Sequence, residues 1–134
     1  SSYLQSIQKL CDGKDIKLHF NVTEEEKIDF LQNAKAVIYP VQQEEAHWLV
    51  GMEAWCCGTQ TIVSNNGAMS EICPRDGVIQ GEPDEWFKML IRMKGEWPDD
   101  NEGMVKWATR YYSRDAVLPK YLDLYERVAN GERW

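Results

Sequence analysis

The sequence predicts an α/β domain in which helices cover a short parallel sheet of about four strands. Three observations indicate this fold. Short apolar runs alternate with segments of helical periodicity, which is the order typical of parallel sheets. The run Ala36–Tyr39 is unbroken by polar residues, as expected of a strand buried on both faces. From Asp84 onward the pattern is helical, so terminal helices should complete the domain.

Length and charge narrow the classes of protein further. The 134 residues contain no linker and no internal repeat, which predicts a single domain over residues 1–134. A formal net charge of -7 repels nucleic acid and anionic membranes, so neither is expected as a partner. No apolar run is long enough to span a membrane, and no signal peptide is evident, so a cytoplasmic protein is expected.

The first third of the chain is predicted to form a helix, a strand and a second helix. Apolar residues have helical spacing over Tyr3–Cys11, and an Asp-Gly pair then ends the helix. The segment Ile16–Phe20 alternates in hydropathy and predicts a short strand. Thr23 is followed three residues later by Glu26, the spacing of a capping box, so the second helix should begin here.

The middle third supplies the predicted centre of the sheet. Pro40 ends the strand at Ala36–Tyr39, and a polar loop leads into a helix over Trp48–Cys57, which Gly58 closes. Thr61–Val63 is the next predicted buried strand. A turn at residues 65–67, one helical turn at residues 70–73 and a short strand at residues 78–79 follow.

Four cysteines are present, and none has the spacing of a zinc site. Cys56 and Cys57 are adjacent in a predicted helix, where they cannot easily form a disulfide with each other. No Cys-x-x-Cys pair or His-rich cluster occurs. Small buried thiols in a reducing compartment are therefore expected, with no metal and no cofactor.

Acidic residues mark a candidate binding site after the strand that ends at Tyr39. In open parallel sheets, ligands bind outside the carboxyl ends of the strands. The loop there carries Glu44 and Glu45, and the following helix carries Glu53. Eight helical residues rise about 12 Å, so two carboxylates at that spacing cannot share one proton. They are suited instead to the two hydroxyl-bearing ends of one extended ligand.

The start of a helix lies between these two acids. Its free N–H groups and positive dipole end are suited to phosphate, so a sugar, a diphosphate and a ribose in a row would fit this arrangement. No Lys or Arg occurs between Lys35 and Arg75. Attraction for a phosphate must therefore come from backbone N–H groups or from another segment. Surface glutamates with no role in binding are the alternative interpretation.

Four segments together resemble a known family: Ala36–Pro40, Glu45–Ala54 with its Glu-x7-Glu spacing, Cys57–Ser64, and Gly67 with Glu71-Ile72. They are similar to the C-terminal, nucleotide-sugar-binding domain of family 4 of the retaining GT-B glycosyltransferases. The tail from Trp107 to Glu126 also resembles the closing helices of that domain. The resemblance implies a Rossmann-like three-layer fold and a nucleotide-diphosphate sugar as donor, transferred with retention.

The resemblance also implies roles for individual residues. Glu45 would contact hydroxyls of the donor sugar as a catalytic residue, and Glu53 would bind the ribose hydroxyls. The N–H groups of Leu49 and Val50 would bind the diphosphate, and Asn21 and Val22 would line the base. Gly67 would allow a tight backbone turn near the site.

Three residues in these segments depart from the family pattern. His47 and Trp48 stand where the family has Phe-Gly, and Gln60 replaces a proline. Trp48 would narrow the pocket or stack on a ring of the ligand. His47 is a candidate catalytic acid, with a loop or capping role as its alternative.

A larger departure concerns the start of the chain. The family's first two strands, which carry the Arg and Lys that clamp the diphosphate, have no counterpart before Tyr3. In the family's strand order they would separate Ile16–Phe20 from Ala36–Tyr39. Two explanations remain open. The sequence is a truncated GT-B C-terminal domain whose other half is supplied elsewhere, or the Ile16 strand pairs directly with the Ala36 strand.

Two other functions compete with donor binding and glycosyl transfer. A non-catalytic GT-B-like module for binding or assembly with a partner subunit would explain the missing clamp and the bulky Trp48. A response-regulator-like or flavodoxin-like domain fits the alternation, but the acidic cluster expected after its first strand is absent. The last helix, with Leu118, Leu122 and Tyr125, presents an apolar face that either the N-terminal GT-B half or a second copy would cover.

Overall fold

The computed structural model describes residues 2–74, 78–79, 83–96 and 101–133. The elements follow in the order α1 (Ser2–Cys11), α2 (Glu24–Asn33), β1 (Ala36–Tyr39), α3 (Leu49–Cys56), β2 (Gln60–Ser64), α4 (Met69–Ile72), β3 (Val78–Ile79), α5 (Pro83–Glu96), α6 (Asn101–Tyr112) and α7 (Arg114–Ala129). The predicted mixed α/β class is confirmed. None of the helices within these residues is long and apolar enough to cross a membrane.

The sheet is parallel, and its strand order is β1-β2-β3. Tyr39 at the end of β1 is level with Val63 of β2, which is level with Val78 of β3. Ile62 and Val63 are fully buried, as predicted for a central strand covered on both faces. The carboxyl ends of β1 and β2 therefore meet at one edge of the sheet.

The fourth predicted strand does not form among the described residues. Ile16–Phe20 belongs to no helix or strand, so the explanation in which this segment pairs with β1 is wrong. Its apolar side chains remain exposed, with Ile16 at 51% and Phe20 at 56%. A strand is stabilised by a neighbour that pairs with its backbone and covers its side chains, and alternating hydropathy alone supplies neither.

Helix α2 begins as its sequence predicts. The Glu26 backbone N–H donates to Thr23 Oγ1 at 3.2 Å, and the Thr23 backbone N–H donates to Glu26 Oε2 at 2.7 Å. Both halves of the capping box are therefore formed. These bonds to Thr23 lower the pKa of the Glu26 carboxyl, because they stabilise its charged form. At the other end of α2, the Thr59 hydroxyl donates to the backbone carbonyl of Leu31.

The core is centred on Trp55, which is fully buried in α3. Its ring lies edge-on to Trp107 of α6 at 5.2 Å and stacks on Tyr112 at 5.8 Å between centroids. Its indole Nε1 donates to Thr61 Oγ1 at 2.8 Å, so α3 is joined to β2 through a satisfied polar contact. The Tyr112 hydroxyl donates to the carbonyl of Ile72 at 2.6 Å and ties α6 to the end of α4.

The C-terminal part of the chain forms helices as predicted, but these helices differ in how many residues they bury. Helix α6 buries Met104 and Ala108. Helix α7 buries no residue, and the predicted apolar face is exposed: Leu118 is 43%, Leu122 is 52% and Tyr125 is 63% accessible. A dimer contact through this face stays a prediction.

The cysteines are free thiols that differ widely in exposure. The expectation that all four are buried is met only by Cys73, since Cys11 and Cys57 are partly exposed and Cys56 is exposed. Burial raises the pKa of the Cys73 thiol to about 11, because the thiolate is poorly solvated there. Burial also raises the pKa of Cys57.

We expect these thiols to react at different rates. At pH 8 only about one in a thousand Cys73 thiols would be ionised. Brief treatment of the native protein with iodoacetamide should label Cys56 and leave Cys73 unmodified, as read by peptide mass spectrometry. In denaturant both should react alike. Equal labelling in the native protein would show that Cys73 is not buried.

Candidate functional site

The loops that leave β1 and β2 are bonded to each other at the carboxyl edge of the sheet. The carbonyl of Val41 accepts hydrogen bonds from Ser64 Oγ at 2.5 Å and from Asn66 Nδ2 at 2.6 Å. Val41 itself is buried in the core. Residues 40–48 are therefore anchored to the end of β2 at a fixed position.

Gly67 lies in the loop that follows β2. Because it has no side chain, this loop approaches the loop after β1 more closely than any other residue would allow. Its φ is +62°, which is the left-handed region, as the predicted tight turn requires. A Cβ at this position would lie 2.4 Å from the carbonyl oxygen and 2.5 Å from the nitrogen of Glu45. The next residue, Ala68, donates its N–H to the same Glu45 carbonyl at 2.9 Å. Gly67 therefore fixes the backbone of Glu45.

The carboxylate of Glu45 is held by a tyrosine at the end of β1. The Tyr39 hydroxyl donates to Glu45 Oε2 at 3.3 Å, and Glu45 is half-buried. Burial chiefly, and the negative charge of Glu45 secondarily, raise the pKa of the Tyr39 phenol. The phenol therefore remains protonated and continues to donate, which leaves Glu45 Oε1 for a ligand.

Trp48 lies in the core, and its ring does not face solvent. Only 5% of the residue is accessible. The indole stacks on Tyr39 with centroids 4.9 Å apart, and its edge meets Trp55 at 6.3 Å. Gly51 leaves the space for it, because a Cβ there would lie 2.3 Å from Trp48 Cε3. The structure thus places this ring behind Tyr39, where it supports Glu45 indirectly and is not exposed for stacking on a ligand, one of its two expected roles.

Helix α3 begins directly beyond this edge. Met52 is the first residue whose N–H bonds back into the turn, to the carbonyl of Trp48 at 3.3 Å. The N–H groups of Leu49, Val50 and Gly51 come before it and have no acceptor in the described part of the chain. Leu49 and Val50 are exposed, at 65% and 46%. N–H groups without an acceptor in the described residues are therefore present at the start of α3, and their binding to a diphosphate stays a prediction.

Glu53 is bonded to a lysine from a different helix. Lys27 Nζ lies 2.9 Å from Glu53 Oε1 and also 2.9 Å from Glu24 Oε1. The hydrogen bonds to Glu24 and then to Glu53 raise the pKa of Lys27. The sequence left open whether backbone N–H groups or another segment would attract a phosphate, and it did not identify Lys27 as the partner of Glu53. Its only signal is its place in the first turns of the helix that precedes β1.

The two motif glutamates have different partners. In the described residues no side chain bonds to both carboxylates, since Glu45 is paired with Tyr39 and Glu53 with Lys27. The expected separation of about 12 Å assumed one continuous helix between them. Helix α3 begins only at Leu49, so Glu45 lies in the loop and that separation does not apply.

The remaining predicted residues lie in exposed segments. Asn21 has a left-handed φ of 51°, and Val22 is 38% exposed; both directly precede the cap of α2. His47 and Glu44 are exposed, and neither side chain has a bonding partner in the described residues. No group of three or more His, Cys, Asp or Glu side chains there could hold a metal ion.

One comparison with known proteins finds a match. A family model described as glycosyl transferases group 1 matches residues 2–84, which is more than half of the chain. The match includes both motif glutamates, Gly67 and Lys27, and it ends at the start of α5. The resemblance of the closing helices therefore lies outside it. No curated protein and no solved structure matches the chain.

Proposed function

Because the chain belongs to the group 1 glycosyl transferases, we propose that it binds the nucleotide-diphosphate sugar from which the sugar is transferred. Family membership supports glycosyl transfer in general. The observation that carries the proposal is the start of α3, where N–H groups without an acceptor in the described residues follow Glu45 and precede Glu53 along the chain, two acids that can each accept hydroxyl hydrogen bonds. We place the donor at this edge, in a Rossmann-like GT-B domain.

In the proposed complex, each part of the donor meets a different group. The diphosphate lies against the N–H groups of Leu49 and Val50, where the helix dipole adds to the hydrogen bonds. The ribose hydroxyls donate to Glu53, and hydroxyls of the sugar donate to Glu45. Such bonds to a charged acceptor are stronger than neutral ones. Asn21 and Val22 are proposed to line the base.

The proposed chemistry is transfer with retention. When the bond to the sugar breaks, negative charge grows on the leaving diphosphate, and fixed N–H donors stabilise that charge without having to reorient. His47 remains the candidate catalytic acid, since its exposed ring has no partner in the described residues. No metal is included in this proposal. The acceptor side is proposed to come from a second GT-B half or a partner subunit.

Titration calorimetry with UDP-glucose, GDP-mannose and ADP-glucose tests the proposal. At least one donor should bind, and Glu53→Ala should weaken that donor by about tenfold to a hundredfold, because it removes a charged hydrogen-bond acceptor. Glu102→Ala is the matched control: it removes an acid of equal charge that is ion-paired to Lys106 at 2.8 Å on α6. We expect it to bind as the wild type does.

Two results would contradict the proposal: no donor binds the wild type, or Glu53→Ala binds as well as wild type. The alternative is a non-catalytic GT-B-like module for binding or assembly with a partner subunit. That alternative predicts no nucleotide affinity, together with a stable complex in size-exclusion chromatography.

A further inference from the structure

Lys27 and Glu53 form an ion pair that joins two helices 26 residues apart along the chain. The distance between Nζ and Oε1 is 2.9 Å, and the side chains are 29% and 42% exposed. The pair is therefore only partly covered, and the Glu53 carboxylate can still be reached from solvent. Among the described residues, Lys27 is the only cation bonded to either motif glutamate.

The contact leaves one oxygen of the carboxylate for a ligand. Lys27 holds Glu53 Oε1, whereas Glu53 Oε2 has no partner in the described residues. When one oxygen of a carboxylate is held in place, the direction of the second oxygen is fixed as well. Less rotational freedom is then lost when a hydroxyl binds to that second oxygen. The ammonium also offsets the repulsion between Glu53 and a diphosphate at the start of the same helix.

The position of Lys27 is itself fixed at both ends of α2. It directly follows the capping box of Thr23 and Glu26, and it is bonded to Glu24 at 2.9 Å. At the far end of α2, the Thr59 hydroxyl bonds the carbonyl of Leu31 and ties the helix to the residue before β2. The ammonium is therefore presented by a helix that is anchored beside α3.

We propose that Lys27 is a positioning residue for Glu53: it orients the carboxylate so that Oε2 accepts a ribose hydroxyl of the bound nucleotide. This inference rests on the proposed function. If it holds, Lys27 is the residue that makes the site prefer ribose to deoxyribose. A lysine that serves only to join α2 to α3 would affect stability and would leave that discrimination unchanged.

The test compares UDP, GDP and ADP with their 2′-deoxy counterparts by titration calorimetry. The wild type should prefer the ribose form of the nucleotide that it binds by about tenfold, the ratio typical of one hydrogen bond to a charged group. Lys27→Met should bring that ratio close to one, mainly by weakening the ribose form. Lys27→Arg keeps the cation and should retain most of the preference.

Two controls separate positioning from folding. Lys106→Met removes an exposed lysine of equal charge that pairs with Glu102 at 2.8 Å, and it should leave the ratio unchanged. Thermal unfolding of Lys27→Met should stay within about 3 °C of wild type, because partly exposed ion pairs contribute little to stability. If Lys27→Met unfolds, the proposal is tested by the ratio of ribose to deoxyribose affinity in Lys27→Arg. A ratio near one in that variant overturns the proposal.

The outcomes also distinguish this inference from the proposed function. A wild type that binds none of the three nucleotides removes both. A wild type that prefers ribose, together with a Lys27→Met variant that prefers it equally, removes only the role of Lys27 and leaves donor binding in place.

Discussion

Gly67→Ala is expected to displace the loop that carries Glu45 and to reduce donor affinity more than tenfold. The new Cβ would lie 2.4 Å and 2.5 Å from backbone atoms of Glu45, so one of the two loops has to move. We expect a loss of about 2–3 kcal/mol in the free energy of unfolding, of which about 1 reflects the left-handed φ. Urea denaturation gives the stability, and calorimetry with the donor gives the affinity.

Gly13→Ala is the matched control for this substitution. Gly13 also has a left-handed φ, +72°, but a Cβ there would meet no atom within 4 Å. It should therefore lose only about 1 kcal/mol from backbone strain and keep its affinity for the donor. If the two variants lose the same stability and both keep their affinity, the close approach of Gly67 to Glu45 has no role in the site.

Trp55→Ala should have the largest effect on the fold. The ring is fully buried and lies among Trp48, Trp107 and Tyr112, so its removal leaves a large cavity. We expect a loss of about 3–5 kcal/mol in the free energy of unfolding. Since a domain of this size has only about 5–15 kcal/mol in total, much of the variant should be unfolded at 37 °C. Circular dichroism during urea denaturation measures this loss.

A second variant at this position separates packing from hydrogen bonding. Trp55→Phe keeps most of the ring contacts but removes the bond from Nε1 to Thr61 Oγ1. It should lose less stability than Trp55→Ala and still leave a buried hydroxyl without its donor.

Phe87→Ala is the control for the loss of a large aromatic side chain. Phe87 is 65% exposed, so the stability of this variant should change by about 0.5 kcal/mol or less. A Trp55→Ala variant as stable as Phe87→Ala would place Trp55 outside the core.

Elements that depend on neighbours along the chain were predicted well. The capping box spans only Thr23 to Glu26, and the strand at Ala36–Tyr39 has exactly the predicted bounds. Helix α3 differs from its prediction by one residue at each end, and Gly58 follows it with a left-handed φ of +82°. In each case the residues that determine the structure are within a few positions of one another.

Features that depend on distant partners were not predicted. The segment Ile16–Phe20 has the pattern of a strand, but no strand lies beside it in the described residues. Trp48 was expected to narrow the pocket or to stack on a ring of the ligand because of its place in the motif. The space left by Gly51 allows its ring to turn into the core. Lys27 meets Glu53 only because α2 packs beside α3, which periodicity cannot show.

The shared acceptor at Val41 also limits how β1 and β2 can pair. Ser64, the last residue of β2, and Asn66, two residues beyond it, donate to this one carbonyl just past the end of β1. Slippage of one strand by a single residue would move the donors about 3.3 Å along the sheet and turn the buried side chains to the opposite face. Both hydrogen bonds would then be lost together. These side chains thus raise the energy of misaligned pairing during folding, so correct alignment of the strands and assembly of the loop that carries Glu45 become the same event.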